Sequence, residues 1–298
     1  MAAEAQELVF APVTVAQILD RYEAESMSEL APRTAKDYRR HLKVLHRTFG
    51  HLTAADLKPK DFAAFLDVRG RGRIQRVRVL AVLSAAFTQA VSTWYWLDRN
   101  VLRDVKRPRS KPRDRLILSE EFTAVRACAN RRMKLAMTLA LITGQRQGDL
   151  IRFKWSDIRD DALHVEQSKT GKRIAIEINP ELEAVLDECW KLKGAGDTIL
   201  QTRLGAAYTS EGFRACWQRT IKRALRGRPA YKRRTNKPIA ELASTLRERF
   251  TFHDIRALAA TRCSTPEVAM RLLGHTTLAM TMRVYRRGIE RVKALEGL

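Results

Sequence analysis

Apolar positions recur with helical period along most of this chain and with period two in one stretch, which predicts a mainly α fold with a small β-hairpin or sheet, α+β in class. Val15, Ile18, Leu19 and Tyr22 form the first apolar stripe. A second helix is expected from Pro32 to Phe49, with Tyr38, Leu42, Leu45 and Phe49 inward and Arg39, Arg40, Lys43 and Arg47 outward. Thr53 is positioned to cap a short turn, and Lys60 to Leu66 gives a short helix. Ile74, Val77, Leu80, Leu83, Phe87, Val91 and Trp94 then share one stripe of a long helix, completing a bundle of about four helices that ends near Val101.

The pattern breaks at Arg103 to Arg115, RDVKRPRSKPRDR, where Pro108 and Pro112 oppose helix and an extended linker is expected. Ser119-Glu-Glu reads as a helix start. Arg132 to Thr143 is apolar on one side (Met133, Leu135, Ala136, Leu139, Ala140, Ile142) and stops at Gly144, leaving Arg146 in a glycine-flanked corner. The period then becomes two: Leu163 and Val165 precede Ser168-Lys169-Thr170-Gly171-Lys172, and Ile174, Ile176 and Ile178 follow, a hairpin whose turn carries Lys169 and Lys172. Helices are expected over Glu181 to Leu192 and within Gly205 to Leu225. Arg226 to Lys237 is a polar basic insertion. Ile289, Val292 and Leu295 in the tail have helical spacing suited to packing on their own domain or to docking on a neighbouring protomer, the second favoured because a short terminal helix gains little stability without a partner surface.

Charge narrows the class. Lys and Arg number 56 against 33 Asp and Glu, a net +23 that repels itself without a polyanionic partner. The basic residues are spread along the chain rather than gathered on one amphipathic helix, which favours nucleic acid over a membrane surface. No apolar run approaches membrane-spanning length and the first residues lack a secretory signal, so a cytoplasmic, nucleoid-associated protein is expected. Cys128, Cys189, Cys216 and Cys263 are widely separated, a pattern of buried free thiols rather than of a zinc site or disulfide framework. Phosphate contacts are assigned to Arg69, Arg71, Arg73, Arg76 and Arg78 around the start of the long helix. Lys106, Arg107, Arg109 and Lys111 of the linker, Lys172, and Lys232, Arg233 and Arg234 of the insertion are expected to join them.

The candidate chemistry lies mostly between Thr251 and Arg287. His253 and Arg256 are three apart and share a helix face. Gly274 reads as a helix stop that leaves His275 exposed at the corner, and Tyr285 follows among arginines. Cutting a phosphodiester without a metal or cofactor needs a nucleophile, charge neutralisation on the non-bridging oxygens and an acid for the leaving oxygen. Arg146 and Arg256 offer planar, permanently charged forks for the second task. Tyr285 is the nucleophile, with a hydroxyl pKa ordinarily near 10 that calls for help from His253. His275 supports a phosphate oxygen, and Lys169 on the hairpin is placed as general acid toward the 5′ oxygen.

These motifs resemble, in order, those of the tyrosine recombinase (phage integrase) family: TGQRQGDL around Arg146, SKTGK around Lys169, FHDIR with His253 and Arg256, LGH ending at His275, and RVYRR around Tyr285. Each alone is unspecific; five in sequence are not. The resemblance implies a recombinase that cleaves and rejoins DNA through a 3′-phosphotyrosine and a Holliday junction, with Asp149 bracing the arginine corner. It implies a flexible arm over 1–12, a helical core-site DNA-binding domain over 13–102, a basic linker over 103–117 and a catalytic domain with a C-terminal tail over 118–298. The two domains would form a clamp on double-stranded core sites, working as a homotetramer on DNA, with a directionality factor or host DNA-bending protein as further partners. Neither cofactor nor ATP is implied. His275 and Tyr285 stand ten residues apart, one more than is commonest in the family, which shifts the start or register of the tyrosine helix. A Xer-like chromosome-dimer resolvase is the neighbouring reading, a type IB topoisomerase shares the chemistry, and a non-catalytic recombination accessory protein would account for the charge alone.

Overall fold

The computed structural model describes residues 12–67, 72–109, 115–226, 246 and 248–285, the last two of these (Val284 and Tyr285) by backbone only. Internal contacts divide the chain into two compact units, Met1–Pro112 and Arg113–Leu298. Among the described residues no helix is long and apolar enough to cross a membrane.

The first unit holds α1 (Val15–Ser26), α2 (Pro32–Phe49), α3 (Pro59–Leu66) and α4 (Gly72–Ser92). Thr14 and Gln17 cap α1 reciprocally: Gln17 N donates to Thr14 Oγ1 and Thr14 N to Gln17 Oε1. The expected inward residues of α1 are all buried; in α2, Leu42, Leu45 and Phe49 are buried and Tyr38 is half-buried. Thr53 does not cap a helix. It pairs with Thr14 across an isolated bridge, tying the α2–α3 connection to the start of α1.

α4 buries Val79, Leu80, Val82, Leu83, Ala86, Phe87 and Ala90, an arc wider than the single expected stripe because the helix touches α1, α2 and α3. Ile74, Val77 and Val91 are only half-buried, and Trp94 lies beyond the last residue of the helix. The basic stretch is also not extended from its first residue. Asn100 donates from Nδ2 to Ser84 O and Thr88 Oγ1, and a 3-10 turn over Val101–Asp104 follows. Val101, Leu102 and Val105 are buried there, apolar positions that outweigh the neighbouring charges.

In the second unit, α5 (Ser119–Ala127), α6 (Arg131–Thr143) and the single turn α7 (Gln147–Leu150) lead into an antiparallel sheet of order β1–β2–β3. Its strands are β1 (Ile158–Arg159), β2 (Ala162–Glu166) and β3 (Arg173–Glu177), with Leu163 opposite Ile176 and Val165 opposite Ile174. β1 was not legible in the sequence. Two residues show no alternation, and it joins β2 through Asp160 and Asp161, both at positive φ (53° and 52°), a turn form that Asp tolerates.

α8 (Pro180–Trp190), α9 (Ser210–Ala224), α10 (Asp254–Thr261), α11 (Pro266–Leu273) and α12 (Leu278–Tyr285) follow among the described residues. α6 is its axis, in contact with α5, α8 and α10 and burying Met133, Leu135, Ala136, Met137, Leu139 and Ala140. Phe252 packs edge-on against Phe213 and Trp217 of α9, at 4.9 and 5.3 Å between ring centroids. That anchor fixes the backbone that carries His253. The cysteines are free: Cys128 and Cys189 are buried, whereas Cys216 and Cys263 are half-buried rather than buried as expected. Burial pushes the Cys189 thiol up to about 12, which keeps it protonated.

Candidate functional site

Arg146 follows a helix end made by glycine. Gly144 caps α6 at φ 63°, and an added Cβ would meet Leu273 at 3.0 Å, so the tight turn and the close approach of α11 both need glycine there. Arg146 is half-buried, and its Nη1 donates to Gln167 Oε1 at 2.7 Å. Arg256, in the first turn of α10, is 5% exposed. Its Nη1 donates to Gly144 O at 2.8 Å and its Nη2 to Leu273 O at 2.6 Å, so one guanidinium fastens the arginine corner and the end of α11 to α10.

Both forks are thus held by uncharged oxygens. Among the described residues no carboxylate lies within ion-pair distance of either. Burial, then the charge of Arg146, pull the pKa of Arg256 down to about 9, with Asp149 opposing. The group is still a cation at neutral pH, and the mutual repulsion marks an unfilled demand for an anion.

His275 follows Gly274, which caps α11 at φ 63°. The imidazole is half-buried rather than exposed, because α12 folds back over the corner: Nδ1 shares a hydrogen bond of 2.9 Å with Oγ1 of the fully buried Thr281. Burial, followed by the charges of Arg256, Arg146, Lys172 and His253, lowers its pKa to about 4. A neutral ring at pH 7 retains one N–H to donate.

The hairpin turn places Lys169 exposed, while half-buried Lys172 donates from Nζ to His275 O at 3.3 Å. Asp149, expected to brace the arginine corner, accepts from the hairpin turn: its Oδ1 takes Ser168 N (3.0 Å) and Ser168 Oγ (2.7 Å), and also Arg152 Nη2 (2.8 Å). Because Asp149 belongs to α7, it ties the corner to the turn that carries Lys169. His253 caps α10 and is exposed. Tyr285 is the last residue of α12, which opens at Leu278; its side chain lies outside the described residues.

Arg146, Arg256, His275 and Lys172 therefore share one region, with Lys169 and His253 on its border. Sequence reasoning missed Gln145, Gln167 and Thr281. A signal existed for Gln167: alternation from Leu163 and Val165 puts it on the core-facing side, where an amide needs partners.

Of the residues expected to touch phosphate, Arg69, Arg71, Lys111, Lys232, Arg233 and Arg234 lie outside the described residues. Arg73 and Arg78 are exposed on α4, as are Lys106 and Arg109 beyond it. Arg76 instead donates to Phe65 O at 2.7 Å and lies over the Phe65 ring, tethering α3 to α4. Arg107 is half-buried and donates to Leu102 O at 3.1 Å. Within the first unit, Arg78, Arg103, Arg107 and Arg109 line one groove with Ile74 and Val77.

Two unpaired guanidinium forks, a lysine turn, a neutral imidazole and a helix ending in tyrosine, carried on this α+β frame, define the tyrosine class of site-specific recombinases. The chain belongs to the phage integrase family, whose model matches residues 117–290. It is 30% identical over 286 residues to the integrase of Escherichia phage HK022, covering 91% of this chain and 75% of that protein. A lambda integrase dimer bound to a COC′ core site superposes with a TM-score of 0.79 at 28% identity, covering 96% of this chain and 100% of that one. A lambda integrase tetramer bound to a Holliday junction gives 0.78 at 28% identity, covering 95% of this chain and 81% of that one. The resemblance read from the motifs, the fold class and the enzyme class are all borne out.

Proposed function

We propose that this chain cuts and rejoins double-stranded DNA at paired core sites to integrate and excise a phage or other mobile element, with Tyr285 as the attacking group. The Tyr285 oxygen attacks the scissile phosphorus while the bond from phosphorus to the 5′ oxygen breaks. His253 takes the phenolic proton and Lys169 supplies one to the departing 5′ oxygen. Arg146 and Arg256 carry the charge that develops on the non-bridging oxygens, and neutral His275 donates its remaining N–H to one of them. Asp149 holds the turn that presents Lys169. The 3′-phosphotyrosine ester keeps the energy of the broken linkage, so attack by a 5′ hydroxyl of the second duplex reseals the strand without ATP. One round of exchange leaves a Holliday junction and a second resolves it.

The carrying observation is that Arg146 and Arg256 are brought together and oriented by amide and carbonyl oxygens alone, which leaves both charges for a phosphate. The lambda integrase assemblies on a core site and on a Holliday junction support action as a homotetramer on DNA. A directionality factor or host DNA-bending protein is proposed as a further partner from the family resemblance alone. The exposed cations Arg73, Arg78, Lys106 and Arg109 suit contacts to the backbone of a core site, with Arg69, Arg71, Lys111, Lys172, Lys232, Arg233 and Arg234 as further candidates. We place the protein in the cytoplasm, on the nucleoid.

A duplex carrying the element's junction sequence, nicked beside the cleavage point so that the short product strand diffuses away, tests this reading. Wild-type protein should accumulate a covalent adduct, and Tyr285→Phe should bind the same DNA without forming one. An adduct that persists in Tyr285→Phe refutes the assignment. Adduct formation on DNA lacking an inverted-repeat core would point to topoisomerase action instead.

A further inference from the structure

Gln167 directly follows β2 and is fully buried (0% exposed). Each hydrogen-bonding position of its amide is engaged by a different part of the site. Oε1 accepts from Arg146 Nη1 at 2.7 Å and from Thr170 Oγ1 at 3.2 Å. Nε2 donates to Gln145 Oε1 at 2.8 Å and to Leu273 O at 2.9 Å. The amide orientation follows from these partners: Arg146 can only donate and the Leu273 carbonyl can only accept.

The main chain of Gln167 closes the turn bearing Lys169. Its carbonyl accepts from Thr170 N (3.1 Å) and Gly171 N (2.8 Å), and its N–H donates to Lys172 O (2.9 Å). Leu273 O also accepts Arg256 Nη2, so the second guanidinium shares an acceptor with this residue. Gly274 completes the fit, since a Cβ there would stand 2.6 Å from Gln167 Nε2.

We propose that Gln167 is a positioning residue for strand cleavage: one uncharged side chain sets Arg146 and the Lys169 turn in a common geometry while leaving the Arg146 charge uncompensated. This rests on the roles given above to Arg146 and Lys169. The choice of amide over carboxylate has a physical reason. Glutamate would reach Arg146 equally well, but it would form a short charge-assisted pair and cancel the field meant for phosphate. It would also turn an oxygen toward Gln145 Oε1 and Leu273 O, both of which need a donor.

The test measures single-turnover adduct formation on the nicked junction duplex, at saturating DNA and well below the melting temperature, alongside DNA affinity. Gln167→Met should slow adduct formation about tenfold to a hundredfold, as a misplaced catalytic group does, while DNA affinity stays within about threefold. Val185→Ala in α8, a core truncation remote from the site, controls for lost stability and should leave the rate near wild type. Gln167→Glu keeps volume and the oxygen facing Arg146, and covers the case where Gln167→Met does not fold; it should be slowed at least as much. A wild-type rate in Gln167→Glu or in a folded Gln167→Met overturns the proposal, as does an equal slowing in Val185→Ala. If wild-type protein forms no adduct, the cleavage reading itself fails; if wild type and Gln167 variants form it equally fast, only the positioning role fails.

Discussion

Nδ1 of His275 and Oγ1 of Thr281 lie 2.9 Å apart, joining the imidazole of the arginine pocket to the helix that ends in Tyr285. Thr281 is fully buried and His275 half-buried, and the hydrogen bond between them sets which ring nitrogen is left for a phosphate oxygen. When the threonine hydroxyl donates to Nδ1, Nε2 carries the proton and faces away from α12. Thr281→Val keeps the shape and removes the bond. Adduct formation should slow about tenfold, the value of one buried hydrogen bond, with core-site affinity unchanged. A wild-type single-turnover rate in Thr281→Val would dissociate the two residues.

The depressed His275 pKa carries a signed pH prediction. The folded value, about 4, lies below the ordinary 6.5, so the unfolded chain takes up a proton that the folded chain refuses. The contribution to stability is complete above pH 6.5 and is lost progressively as pH falls toward 4. The urea midpoint of wild type should therefore fall further between pH 7 and pH 5 than that of His275→Gln. Equal losses in both would show that the ring is not held neutral.

Arg146 and Arg256 should respond differently to lysine. Arg256→Lys gives up a fork that satisfies two main-chain carbonyls, so both melting temperature and adduct formation should fall, the latter by about a hundredfold or more. Arg146→Lys loses a half-buried contact to Gln167 and should reduce adduct formation with little change in melting temperature. A thermal melt beside a single-turnover assay decides this, and equal melting shifts would count against it.

Two glycines separate strain from collision. Gly171 (φ 66°) and Gly274 (φ 63°) both occupy the left-handed region, but a Cβ on Gly171 meets nothing within 4 Å, whereas one on Gly274 meets Gln167 at 2.6 Å. Gly171→Ala should cost about 1 kcal/mol of stability. Gly274→Ala should cost more and also slow adduct formation, because it displaces Gln167 from Arg146. Chemical denaturation of the two variants checks the order.

Much of this was legible in the chain itself. The helices α1, α2, α3 and α6 and the β2–β3 hairpin follow from apolar periods and from Gly144 and Gly274 as stops, because local sterics and burial of a single face decide those elements. Arg146, Lys169, His253, Arg256, His275 and Tyr285 could be named because each sits in a short motif. The structure adds what the motifs do not carry where packing between neighbouring elements engages a side chain: Arg76 against Phe65, Arg107 against Leu102 and His275 beneath α12.

What the sequence determined alone is the set of reactive groups, their order and the elements that carry them, since side-chain chemistry and helix or strand period are local properties. What only the tertiary structure decided is how those groups are held: Gln167 between Arg146 and Leu273, Asp149 on the Lys169 turn, Thr281 on His275. The bonds of Gln167 and Asp149 join segments far apart in the chain, and that of Thr281 joins two successive elements across a turn. A buried amide, carboxylate or hydroxyl takes whatever partner the packing of those segments supplies. No local pattern encodes that choice.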